Sequence, residues 1–125
     1  MLRLILGAIV GVVTWFVVVF VVSFAVKATD PALAAALNVH ATALALAGRL
    51  AISFLGSLVG GAMAALIARE AVRAPVAVGV LLLIWFVPYH FSIWPQFPIW
   101  YHLTFFVSLI LLSLLGARSV SRRAG

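Results

Sequence analysis

The sequence predicts an all-α integral membrane protein: a four-helix bundle with one short interfacial helix in its first outer loop. Three observations predict it. Of the 125 residues, 67% are hydrophobic and 8% are charged, the latter about a third of the share usual in soluble domains. The apolar residues fall in long runs, and the charges gather at the ends of those runs. Each run approaches the roughly 20 residues that a helix needs to cross a hydrocarbon core. A soluble fold of this size cannot bury so much apolar surface. A soluble enzyme, a disordered tail and a soluble nucleic-acid binder are therefore excluded. A single transmembrane domain over 1–125 is expected.

The first run, 4–26, carries no charge. It is longer than the roughly 7–15 apolar residues of a leader peptide, so a retained helix is expected. Its many valines favour strands in water. Lipid offers no partner to backbone groups, so a helix forms regardless. Asp30 followed by Pro31 reads as a cap with proline at the first helical position. The Ala- and Leu-rich stretch 31–47 is then an interfacial helix, with Asn38, Thr42 and Arg49 on one side and His40 opposite. Gly48 is the expected break before the second span, 50–68; the alternative is that 31–47 extends that span. The third span is 75–92, with Pro88 loosening its last turn. Trp94-Pro95-Gln96-Phe97-Pro98 is a tight connection. The fourth span, 98–115, is expected to stop near Gly116, before a short basic tail.

Orientation follows from the basic residues. Arg3, Arg69, Arg73, Arg118, Arg122 and Arg123 fall on the side of the termini, and Lys27 and Arg49 on the other. This bias places both termini in the cytoplasm. The pI reflects these end charges and is no argument for nucleic acid. The chain has no cysteine, which removes disulfides, thiolate chemistry and iron–sulfur ligation.

Small residues form the clearest pattern. Gly56, Gly60, Ala64 and Ala68 recur every four residues on the second span, beside a second stripe of Ser53, Ser57, Gly61 and Ala65. Gly7 and Gly11 give the first span a GxxxG pair. Such faces let helix backbones approach closely. They serve either packing within the bundle or contact with a second copy or another membrane protein.

Aromatic residues crowd the third connection, from Trp85 to Phe106. They read as a belt at the lipid–water interface, and a headgroup site for a lipid, isoprenoid or quinone is the sharper alternative. Trp15 sits mid-span and its indole N–H needs an acceptor; Thr104 or Ser108 could supply one. His90 and His102 flank the tight connection on the outer side. Their spacing fits no metal motif, so structural hydrogen bonding is expected, and their replacement by alanine should leave folding nearly intact. No metal and no cofactor is expected. No carboxylate pair, Ser/His/Asp set or phosphate loop is present, so no enzymatic chemistry is expected. The run 74–117 carries no charge, unlike ion-coupled transporters, which keep an ionisable group inside the membrane. Glu70 and Arg73 have the spacing of a surface pair on a helix.

The stretch Phe97-Pro98-Ile99-Trp100-Tyr101-His102-Leu103-Thr104-Phe105-Phe106, with Leu114-Leu115-Gly116-Ala117-Arg118 after it, resembles the last helix of a group of small bacterial four-helix inner-membrane proteins. A Pro-x-Trp-Tyr-His-Leu element opens that helix in the group. The Gly-rich second span ending in Ala-Arg is similar too. The resemblance implies a bacterial inner membrane and a four-helix layout, and it brings no activity. If the element matters functionally, Trp100, Tyr101 and His102 carry it, with His90 beside them. The expected role is a non-catalytic interaction or scaffold subunit packing through its small-residue faces. A small transporter or permease component acting as an oligomer is the alternative. A redox or quinone-site subunit using His90 and His102 is the third.

Overall fold

A computed structural model describes residues 1–37 and 43–124. All its regular structure is helical: α1 (Leu2–Thr29), α2 (Pro31–Leu37), α3 (Ala43–Ala68), α4 (Arg73–Ser92), a 3-10 turn (Trp94–Gln96) and α5 (Ile99–Ala124). Four of these helices are long and apolar enough to cross a membrane. The protein is an all-α, multi-pass membrane bundle. Four crossings bring both termini to one end, which we call proximal; the opposite end is distal.

Helix α1 spans about 42 Å at 1.5 Å per residue, more than the hydrocarbon core needs. It ends at Asp30, whose N–H donates to the Val26 carbonyl. The Asp30 carboxylate then accepts the Leu33 N–H at 3.1 Å and starts α2, as the Asp30-Pro31 pair predicts. The rest of the expected interfacial helix is different. Helix α3 begins at Ala43 and runs unbroken through Gly48. A glycine costs a helix about 1 kcal/mol. Burial of Ala45, Leu46 and Leu50 on either side of Gly48 outweighs that. The proposed face of Asn38, Thr42 and Arg49, with His40 opposite, depends on 38–42 and lies outside the described residues.

The turn between α3 and α4 is shaped by two residues. Arg69 ends α3 with φ 58°, a left-handed conformation usual for glycine at helix C-termini. Glu70 does not act chiefly as a surface ion pair. Its carboxylate accepts the backbone N–H groups of Val72, Arg73 and Ala74 and so caps α4. Burial by itself pushes the Glu70 carboxyl up. The N–H groups of Ala74, Arg73 and Val72 and the Arg73 charge act the other way and hold it below its ordinary value. Helix α4 continues through Pro88 to Ser92, leaving the Ile84 carbonyl without its helical donor.

Helix α5 does not stop at Gly116. It continues to Ala124, so the basic tail is helical. Gly116 serves packing, not termination: a Cβ there would lie 1.9 Å from the Leu58 carbonyl oxygen of α3. Helix α3 lies between α1 and α5, and α4 closes the bundle against α5, α1 and α3. The outer face of α1, including Ile9, Val13, Val17 and Phe20, is exposed, as a lipid-facing surface is.

Candidate functional site

Both small-residue stripes of α3 close the bundle itself. A Cβ on Gly60 would lie 2.7 Å from the Gly11 carbonyl oxygen, and one on Gly7 2.7 Å from that of Ala64. The stripe of Gly56, Gly60 and Ala64 is thus the α1 contact, and Gly11 meets it. The second stripe turns to α5, where a Cβ on Gly61 would lie 2.0 Å from the Ser113 carbonyl oxygen. Gly56, Gly60, Gly61 and Ala64 are buried by these close approaches within the bundle, and Ala68 at the proximal end is half-buried. Gly79 makes an equally tight contact between α4 and Ile110 of α5, which no repeat in the sequence signals.

The hydroxyls on α3 divide. Ser57 accepts the Trp15 indole N–H at 3.2 Å, so the acceptor comes from α3 and not from Thr104 or Ser108. Ser108 and Ser113 donate to carbonyls of their own helix, the usual arrangement for a helical hydroxyl. Ser53 is 4% exposed, and its Oγ has no hydrogen-bond partner among the described residues.

At the distal end the helices bring His90 and His102 together. Both are buried, His90 at 2% and His102 at 0% exposure. They flank the connection and meet across it, which the spacing did not foretell: their Nδ1 atoms are 2.6 Å apart. That distance holds a shared proton. A zinc ion held tetrahedrally by two imidazole nitrogens at about 2.0–2.1 Å keeps them about 3.3 Å apart. His102 Nε2 lies 3.3 Å from the Trp94 carbonyl oxygen. The Trp94 ring stacks on His102 with centroids 4.2 Å apart and planes 8° apart. His90 stacks on Phe105 at 4.6 Å and on Tyr101 at 5.8 Å. The turn at Pro95 makes this possible by folding Trp94 back over the first turn of α5. Trp100, the remaining member of the sequence element, points outward at 48% exposure. The aromatic cluster therefore splits. Trp85, Tyr89, Phe91 and Trp100 face out, while Phe97, Tyr101 and Phe105 are core.

His90 and Ser53 line one cavity of about 300 Å³, with Trp15, Phe86, Tyr101 and Phe105 among its walls. Four helices contribute: α1, α3, α4 and α5. A more polar depression of about 420 Å³ adjoins it, sharing Ser23, Arg49, Ile52 and Tyr89 and adding Lys27 of α1. Exposed Ser23 and Tyr89 border both. The cavity therefore opens between α1 and α4 toward the distal surface. Arg49 borders both spaces, with its guanidinium 5.8 Å from the Phe97 ring centroid. The sequence element points to Tyr101 and His102. It does not point to Trp15, Arg49 or Trp94, because these lie on different helices or in the turn and share no spacing.

No family model, no curated protein and no solved structure matches the chain.

Proposed function

We propose that this is a non-catalytic membrane protein that binds an amphipathic small molecule in the distal cavity. The observation that carries the reading is Ser53: a buried residue on a cavity wall whose hydroxyl has no partner among the described residues. Leaving a buried polar group unsatisfied costs about 1–3 kcal/mol, and a bound polar group would recover that. Apolar and aromatic walls with a few convergent polar groups are the usual make-up of a small-molecule site. The two carboxylates of the chain both cap helices, so acid–base chemistry by a carboxylate has no support. The interaction-subunit reading loses ground because the small-residue faces are already covered within the bundle. A redox or quinone-site subunit is the second reading, and the His90–His102 contact favours it.

The same reading places the protein in a bacterial inner membrane with both termini cytoplasmic. Six basic residues at the proximal end against two at the distal end support that orientation. The cavity then opens toward the outer leaflet. Native mass spectrometry of the full chain, extracted in mild detergent, tests the function. The reading expects the 13.3 kDa chain to carry a small-molecule adduct. Ser53→Phe, which fills the cavity, should lose it. A bare wild-type chain would retire the reading, and an integer multiple of the chain mass without an adduct would favour self-assembly.

A further inference from the structure

Resting on that reading, we infer that the ligand is a ring-bearing molecule with a hydroxyl donor and an apolar tail, a phenol or hydroquinone. The argument follows one chain of hydrogen bonds. The Trp94 carbonyl can only accept, so His102 Nε2 carries a proton. In the neutral ring His102 Nδ1 is then a bare acceptor. His90 Nδ1, 2.6 Å away, must be the donor. This assigns the proton of His90 to Nδ1 and leaves Nε2 with a lone pair. An additional proton on the pair would be a buried charge, and the Asp30 carboxylate at this end of the bundle is engaged in capping α2.

Nδ1 and Nε2 sit on opposite edges of an imidazole ring. The cavity touches His90, and with Nδ1 taken by His102 the nitrogen that His90 has left for a ligand is Nε2. The cavity is thus offered an acceptor by His90, and Ser53 on its wall holds a hydroxyl without a partner among the described residues. A ligand hydroxyl answers both at once: its O–H donates to His90 Nε2 and its oxygen accepts from Ser53. A ligand offering only a carbonyl or ether oxygen leaves the His90 lone pair unmatched. Reversing both tautomers to suit it would break the bond to the Trp94 carbonyl. The walls of Trp15, Phe86 and Phe105 favour a flat ring. A dry cavity of 150 Å³ already holds benzene, so about 300 Å³ takes a substituted ring and the start of a tail. The tail leaves through the opening between α1 and α4, past Ser23 and Tyr89. No electron transfer is involved in this binding.

The test titrates the full chain in lipid nanodiscs with radiolabelled decylhydroquinone and with its dimethyl ether, each referred to its mole fraction in the bilayer. The expected result is saturable binding of the hydroquinone and about tenfold weaker binding of the ether, the worth of one hydrogen bond. His90→Phe should bind both alike, at the weaker level. Where that variant does not fold, Ser53→Ala supplies the second readout, a severalfold loss for both compounds that leaves their ratio at about tenfold. Equal wild-type affinities for hydroquinone and ether would overturn the hydroxyl assignment while leaving cavity binding intact. No saturable binding of either compound would overturn both.

Discussion

Replacing Gly61 by alanine puts a methyl carbon 2.0 Å from the Ser113 carbonyl oxygen, where ordinary contact begins at 3.4 Å. The obstacle is backbone, so no rotamer change relieves it. Helices α3 and α5 must separate locally by roughly 1.4 Å, and gaps of that order forfeit much of the dispersion energy along a seam. Overpacking of this severity costs about 3 kcal/mol. The better helix propensity of alanine returns about 1 kcal/mol, leaving a net loss of about 2 kcal/mol. Gly116→Ala meets the Leu58 carbonyl at 1.9 Å and should behave alike. The two sites face the same seam, so the double variant should fall short of the sum. Gly56→Ala is the internal contrast. Its methyl would meet Trp15 Cδ1 at 3.1 Å, a side chain that can give way, and the net change should be about zero against the same propensity gain. Reversible unfolding in mixed micelles, followed by far-ultraviolet circular dichroism, measures all three. Equal stability of Gly61→Ala, Gly116→Ala and Gly56→Ala would refute the close-seam argument.

Other consequences are as direct. Trp15→Phe leaves the Ser57 hydroxyl, fully buried, without its donor and should cost about 1–3 kcal/mol in the same unfolding assay. His102→Ala should cost about 2–4 kcal/mol from its cavity and the orphaned His90 N–H, reversing the expectation from sequence that the histidines are dispensable for folding; an unchanged melting temperature would contradict this. Glu70 is held below its ordinary value of 4.5. Its contribution is therefore complete above that value and lost as pH falls through the lower folded value. Glu70→Ala should destabilise α4 by about 1 kcal/mol at neutral pH, the worth of a helix cap. It should also flatten the acid side of the stability profile, and a variant with an unaltered acid limb would count against the cap.

The layout of four spans was legible because lipid leaves a chain few options: apolar runs of sufficient length must be helices. The Asp30-Pro31 start of α2 was legible because capping is local chemistry. Gly48 and Gly116 misled for one reason. A glycine reads as a helix end in water, and here tertiary burial of neighbouring residues holds the helix through it. The small-residue stripes were visible as a repeat of four. Which helix each stripe faces was not, since that depends on how α1 and α5 are placed around α3. The histidine pair was hidden more deeply. Twelve positions separate His90 from His102, and only the turn at Trp94–Gln96 sets the two rings edge to edge. Ser53 read as one member of a packing stripe. Its lack of a partner is a property of the cavity and leaves no mark in the sequence.

The state of the two imidazoles is the point on which the site stands. Nitrogen-15 spectra of histidine-labelled protein in lipid bilayers, assigned with single histidine substitutions, read it directly. The account predicts a through-bond coupling between Nδ1 of His90 and Nδ1 of His102, protonated Nε2 on His102 and bare Nε2 on His90. Two uncoupled rings, or a protonated Nε2 on His90, would contradict it.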